Sequence, residues 1–225
     1  PSYTENMDQI FVGGWASSGS RVLQQILERA GYYVGIKDKD RNESYDYLGR
    51  MLVVDPKSIY LEMIPTFERW YTQRDNELEF KAMLWATTLG KKKWSLKHGQ
   101  FMLIVPDLKK WYPNAKFILT VRHPVDNLLR TTSFEKFIPS YSEIDKRLQR
   151  YSLITRSALL HTDHVVRLED LCYKPEAAIS KLFNMLNIED DPKKYLDIIK
   201  TPDSLGCRGD LKLNNEIIEL LGYDN

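Results

Sequence analysis

Gly13-Gly14-Trp15-Ala16-Ser17-Ser18-Gly19-Ser20-Arg21-Val22-Leu23 carries the most informative pattern in the chain. It follows the apolar run Ile10-Phe11-Val12 and leads into a segment, Val22 to Ala30, with Val22, Leu23, Ile26 and Leu27 at helical spacing. A strand, a turn rich in Gly and Ser, then a helix is a common way to hold a phosphate. Consecutive backbone N–H groups point into the turn, and the positive end of the helix dipole lies behind them. The spacing Gly14-x4-Gly19 is that of a phosphate-binding P-loop. The next two residues are Ser20 and Arg21, where a loop for a magnesium nucleoside triphosphate needs Lys and then Ser or Thr. The stretch therefore predicts a phosphate ligand other than Mg-ATP.

Outward from this loop, strands and helices alternate. Tyr32-Tyr33-Val34 is expected to form a short second strand after Gly31. Leu61 to Trp70 and Leu78 to Leu89 read as helices, and Phe101 to Trp111 as a helix that Pro106 kinks or divides. Lys116 to Val121 is β-branched and apolar, as a buried central strand should be, and Pro124 suits the first turn of a helix running from Val125 to Phe137. A long helix over Ser142 to Leu160, a strand at Val165-Val166, and a helix from Glu176 to Leu186 opened by Pro175 complete the pattern. Such alternation predicts a parallel sheet with helices on both faces.

Composition narrows the partners. The 225 residues are most economically one domain, 1–225, with enough chain to bury a sizeable core. The formal net charge of +1, from 32 basic and 31 acidic side chains, creates no global field toward nucleic acid or membrane. An anionic ligand must be gathered by a local cluster. Two cysteines, Cys172 and Cys207, make neither a disulfide framework nor a CxxC metal pair. With no apolar run of membrane-span length, the expected location is the cytoplasm, as a soluble protein, with room for an anchor upstream of Pro1.

Arg122 stands where the strand Phe117 to Val121 emerges, beyond the carboxyl end, where open α/β sheets bind ligands. Its guanidinium offers a planar fork of donors suited to a phosphate, or to a neighbouring carboxylate. A magnesium-holding strand would finish in Asp at this place.

The loop, the strand Lys116 to Val121 running into Arg122-His123-Pro124, and Val166-Arg167-Leu168-Glu169-Asp170-Leu171 followed by Pro175 together resemble the sulfotransferases that use 3′-phosphoadenosine 5′-phosphosulfate (PAPS). That family has a loop of the type PKSGTT, a strand ending RDPRD and a later R-Y-E-D-L segment before a Pro. All three occur here in order, and the resemblance runs from about Ile10 to Tyr223, including the Gly222-Tyr223 ending. It implies an α/β, P-loop NTPase-like fold, with a central parallel sheet flanked by helices on both faces. It further implies transfer of a sulfuryl group from PAPS to an acceptor hydroxyl, less readily an amine, releasing adenosine 3′,5′-bisphosphate without a metal.

Carried over residue by residue, Ser17, Ser18, Gly19, Ser20, Arg21 and Val22 would wrap the 5′-phosphosulfate, and Arg122 would bind the 3′-phosphate. Gly206-Cys207-Arg208-Gly209 is similar to the family's late segment over the adenosine, which makes Arg208 and Gly209 further cofactor contacts. Trp94-Ser95-Leu96-Lys97-His98-Gly99 is similar to the family's W-G-x-K-x-P element, so Lys97 would stabilise charge on the bridging oxygen. A hydroxyl needs a base at neutral pH, and His98, beside Lys97, is the nearest imidazole. Glu62 and Glu68 are held in reserve. His123 and the pair Glu169-Asp170 are expected to be structural, the latter as a loop or helix-cap element.

Three positions depart from the family pattern. Ser17 replaces the basic residue before the Ser-Gly pair, which leaves Arg21 or Lys97 to compensate. Position 130, where the family has a phosphate-binding Ser, is Arg130, with Thr131 beside it. Leu168 replaces a Tyr at a packing position. Two other readings stay open at this point. A P-loop kinase of nucleotides or small molecules would need Mg-ATP and a loop Lys, against which Ser20 stands. A homologue that binds PAPS or the bisphosphate with weak catalysis is favoured by Ser17. The acceptor, a small molecule or carbohydrate, would be shaped by Lys37 to Tyr71, with its many aromatic side chains.

Overall fold

A computed structural model of the chain describes residues 8–15, 17–35, 81, 84–85, 88–129, 144–201, 205 and 216–223. Four strands form one parallel sheet in the order β2-β1-β3-β4. They are β1 (Gln9–Gly14), β2 (Trp94–Lys97), β3 (Lys116–Val121) and β4 (His164–Arg167). The register places Val12 opposite both Lys97 and Ile118, and Val121 opposite Arg167. Tyr33 bridges to Trp94 on the outer side of β2, so the expected strand over Tyr32 to Val34 contracts to a single bridge.

Strand pleating divides the core in two, since successive side chains point to opposite faces. Phe11, Phe117, Leu119 and Val121 face one way, onto α2 (Val105–Trp111), α4 (Ile144–Leu159) and α7 (Glu216–Leu220). Ile10, Val12, Ile118 and Val166 face the other way, onto α1 (Ser20–Arg29) and α6 (Pro175–Leu186). Both faces of the sheet are covered, as the near-continuous apolar run of β3 requires. The short helices α3 (Pro124–Leu129) and α5 (Leu168–Tyr173) follow directly on the ends of β3 and β4.

Two expected boundaries move. The helix over Phe101 to Trp111 is a 3₁₀ segment, Gly99–Leu103, followed by α2. The break falls at Ile104, and Pro106 sits in the first turn of α2, where its missing N–H costs no helical bond. Trp94 to Lys97, expected only as a segment ahead of a helix, is a fully buried strand. The expected helix at Leu61 to Trp70, most of that at Leu78 to Leu89, and the extension of α3 to Phe137 lie outside the described residues.

After α7 the chain returns to the carboxyl end of β3. Tyr223, after α7, packs its ring against His123 at 5.0 Å and lies under the Arg167 guanidinium at 5.5 Å. Arg167 donates to the Gly222 carbonyl and forms a two-point pair with Asp170 at 2.7 and 3.0 Å.

Candidate anion-binding and catalytic site

The loop between β1 and α1 is set by its backbone. Gly14 (φ 151°), Ser17 (φ 69°) and Gly19 (φ 94°) adopt conformations that L side chains seldom take, and alternation of this kind turns successive N–H groups toward one point. A Cβ on Gly14 would lie 2.3 Å from Thr120 Oγ1 and 2.5 Å from the Thr120 carbonyl, so only glycine fits. The turn closes by a bond from Ser18 N–H to the Trp15 carbonyl at 3.1 Å.

The Ser18 hydroxyl lies 2.7 Å from Thr120 Oγ1, which itself donates to the Gly13 carbonyl at 3.1 Å. Thr120 has one hydroxyl proton, already directed at Gly13, so Ser18 is the donor of the pair. Its side chain, expected toward the ligand, is 1 % exposed and fastens the loop to β3 instead. The loop's remaining candidate amides are those at the start of α1. Gly19 is the N-cap and supplies no side-chain cap, and the first turn of α1 holds no acidic residue. The N–H groups of Ser20, Arg21 and Val22 have no intrahelical partner by construction, and the helix dipole favours negative charge there. Arg21 is exposed, while Ser17, Ser20 and Val22 are partly buried.

Lys97 closes β2 beside this loop. Its Cα pairs with Val12, and the following residue, His98, donates its backbone N–H to the Val12 carbonyl at 3.0 Å. Gly99 then passes so near the loop that a Cβ there would be 3.0 Å from the Gly14 carbonyl. Lys97 and His98 are 4 % and 7 % exposed, and the imidazole is 5.8 Å from the Phe101 ring. The structure thus brings the loop, Lys97 and His98 to one end of adjacent strands.

Arg122, just past β3, is fully buried. The peptide unit that joins it to His123 is held at both ends. Its carbonyl accepts from the Tyr151 hydroxyl at 3.3 Å, and its N–H donates to Glu169 Oε1 at 2.8 Å. The other Glu169 oxygen accepts from the Tyr223 hydroxyl at 2.7 Å. Burial, reinforced by the Glu169 charge, pushes both phenols well above the usual tyrosine range, so each stays protonated and able to donate. Tyr151 also stacks on Trp15 of the loop, with centroids 5.3 Å and planes 19° apart, and the Trp15 indole N–H donates to Thr155 at 3.1 Å. His123 is the N-cap of α3: its carbonyl accepts from Asn127 and its Nδ1 from the Val125 N–H at 3.2 Å. That is the structural role expected of it.

Glu169 differs from expectation in kind: its carboxylate reaches across to the end of β3 rather than capping its own helix. Trp15 and Tyr151 carried no local signal in the sequence, and the Gly222-Tyr223 resemblance gave no sign of what Tyr223 would meet, because each acts through partners far along the chain. Arg130, Arg208, Gly209, Glu62 and Glu68 lie outside the described residues.

The donor set is cationic and amide-rich, with Lys97 ending β2, the helix amides following β1 and Arg122 ending β3.

A model described as the sulfotransferase family matches residues 9–192. Among solved structures, the fold is similar to that of the sulfotransferase STF1 from Mycobacterium tuberculosis, with a TM-score of 0.58 at 15% identity over 84% of this chain and 70% of that one. The sulfotransferase STF9 from Mycobacterium avium superposes with a TM-score of 0.56 at 10% identity, over 96% of this chain and 75% of that one. A sulfotransferase from Alicyclobacillus acidocaldarius does so with a TM-score of 0.50 at 16% identity, over 96% and 90%. No curated protein sequence matches the chain.

Proposed function

This chain belongs to the sulfotransferase family, and on that premise we propose that it moves a sulfuryl group from PAPS to an acceptor hydroxyl, less readily an amine, releasing adenosine 3′,5′-bisphosphate. The observation that carries the reading is the two-point cationic arrangement. In it the amides of Ser20 to Val22 would form one anion seat, and the buried Arg122, past the end of the neighbouring strand, would form another. A nucleotide with phosphate groups at both its 5′ and 3′ positions matches two seats; a nucleoside triphosphate needs one seat and a metal ligand.

In this reading PAPS supplies an activated sulfuryl group. The α1 amides hold its 5′ end and Arg122 its 3′-phosphate, a planar guanidinium being suited to phosphate oxygens. The Lys97 ammonium neutralises charge that develops on the leaving oxygen, in a buried place where such charge is felt strongly. The His98 imidazole takes the proton of the acceptor hydroxyl. Residues 1–225 serve as one domain around this site. The proposed location is the cytoplasm; among the described residues, no helix is long and apolar enough to cross a membrane.

Isotope-labelled PAPS incubated with a panel of phenols, sugars and lipid head groups tests the proposal. Label appearing on an acceptor is the expected result, lowered by about 100-fold or more in Lys97→Met. Ser17, uncharged at the loop, favours a second reading in which the chain binds the donor with weak turnover. Tight binding of the bisphosphate, with no transfer to any acceptor, would select that one.

A further inference from the structure

The sheet ladder holds β3 only as far as Val121, which pairs with Arg167. The next peptide unit, between Arg122 and His123, lies beyond the ladder and is buried, so its C=O and N–H must find partners elsewhere. Both partners are side chains from distant parts of the chain. Tyr151 of α4 approaches from one side and Glu169 of α5 from the other. Tyr223, at the chain's end, holds the second oxygen of Glu169. Rotation of this peptide plane would break both bonds at once, and the plane sets the ψ angle of Arg122.

We propose that Tyr151 and Glu169 are positioning residues for the donor's 3′-phosphate. They clamp the Arg122–His123 peptide and so aim the Arg122 guanidinium, with Tyr223 keeping Glu169 in register. The inference rests on the PAPS reading of the site. Tyr151 carries a second duty, since its ring stacks on Trp15 of the loop. One side chain of α4 therefore braces the segments proposed to hold the 5′ and 3′ ends of the same nucleotide. Removing only its hydroxyl separates the two duties.

The test compares binding of adenosine 3′,5′-bisphosphate and adenosine 5′-phosphate by calorimetry, since the two ligands differ only in the 3′-phosphate. Wild type should prefer the bisphosphate, and Arg122→Lys should remove most of that preference. Tyr151→Phe, which keeps the stacked ring, and Glu169→Gln, which keeps the shape of the carboxylate, should each cut the preference about threefold to tenfold. Affinity for the 5′-phosphate should change by less than about twofold in each. Neither variant should lower the preference further in an Arg122→Lys background, because all act through one group. A role confined to stability would lower the melting temperature and leave the preference intact. That result in Tyr151→Phe, the milder change, overturns the positioning role. A wild type without preference for the bisphosphate overturns the PAPS reading itself, and the two failures are told apart by the wild-type titration alone.

Discussion

Gly14 is the residue on which the loop turns. At φ 151°, with Thr120 side-chain and backbone atoms where a Cβ would stand, it has no room for alanine. Gly14→Ala should destabilise the protein by about 2–4 kcal/mol, seen as a lower urea midpoint, because one obstacle is backbone that cannot swing aside. Lys97 makes the contrasting case. Lys97→Met keeps much of the buried stem and removes the charge, so kcat should fall by about 100-fold or more while bisphosphate affinity stays within a few fold. A parallel loss of affinity would show that Lys97 binds the ground state instead. Gly14 was legible from its spacing to Gly19, whereas Lys97 was singled out only by the resemblance of Trp94 to Gly99 to the family's W-G-x-K-x-P element. The direction of the Ser18 hydroxyl was not legible. It depends on Thr120, 102 residues away, and a hydroxyl in a Gly-Ser turn gives no sign of which neighbour it will meet.

At the scale of elements, β2 is the piece that sequence pattern missed. Lys91-Lys92-Lys93 precedes it, and although Trp94-Ser95-Leu96-Lys97 alternates apolar with polar, the pattern lasts only four residues and signals a half-exposed strand rather than the fully buried one observed. Its burial is made possible by α1. Gln24 donates to the Ser95 carbonyl at 2.6 Å, and the Ser95 hydroxyl donates back to Gln24 Oε1 at 3.1 Å, with both residues almost wholly buried. This reciprocal pair ties the helix behind the loop to the strand that ends in Lys97. Gln24→Leu should cost about 1–3 kcal/mol by stranding the Ser95 groups, and Ser95→Ala should cost less, since it removes one of the two bonds. Equal urea midpoints for the wild type and Gln24→Leu would mean that the pair contributes nothing. By contrast β3 and α6 matched expectation within a residue or two. A β-branched buried run and a Pro-opened helix are local properties that distant contacts reinforce rather than decide.

For the molecule as a whole, four tyrosines set a limit at alkaline pH. Burial is the leading cause in each. It pushes the Tyr32 phenol up to about 12, and it does the same to Tyr195, helped by the bond to Asp190. Tyr151 and Tyr223 are raised further. A phenol whose pKa is higher in the folded state than the ordinary value of 10.0 holds its proton longer when folded. Its contribution is therefore complete below that value and is lost as pH rises through the folded one. Urea midpoints should be level from about pH 8 to 9.5 and fall steadily from about pH 10 to 12. Because Tyr151 and Tyr223 hold their protons to still higher pH, the clamp around the Arg122–His123 peptide should stay intact, and bisphosphate preference should remain level over this range in protein that is still folded. Flat stability to pH 12 would contradict the burial of these phenols. The α/β class and the covered sheet were readable from alternation alone. The assembly of the far end of the chain against β3 was not, since Glu169 and Tyr223 meet across 54 residues without any periodic signal.

In the proposed reading, the amides at the start of α1 and Arg122 together hold a nucleotide phosphorylated at both its 3′ and 5′ positions. Calorimetric titration of the whole protein with adenosine 3′,5′-bisphosphate, against Mg-ATP under identical conditions, tests it most directly. Saturable one-to-one binding of the bisphosphate is expected, weakened at least about tenfold by Arg122→Lys, with no comparable binding of Mg-ATP. Tighter binding of Mg-ATP, or bisphosphate affinity indifferent to Arg122, would contradict it.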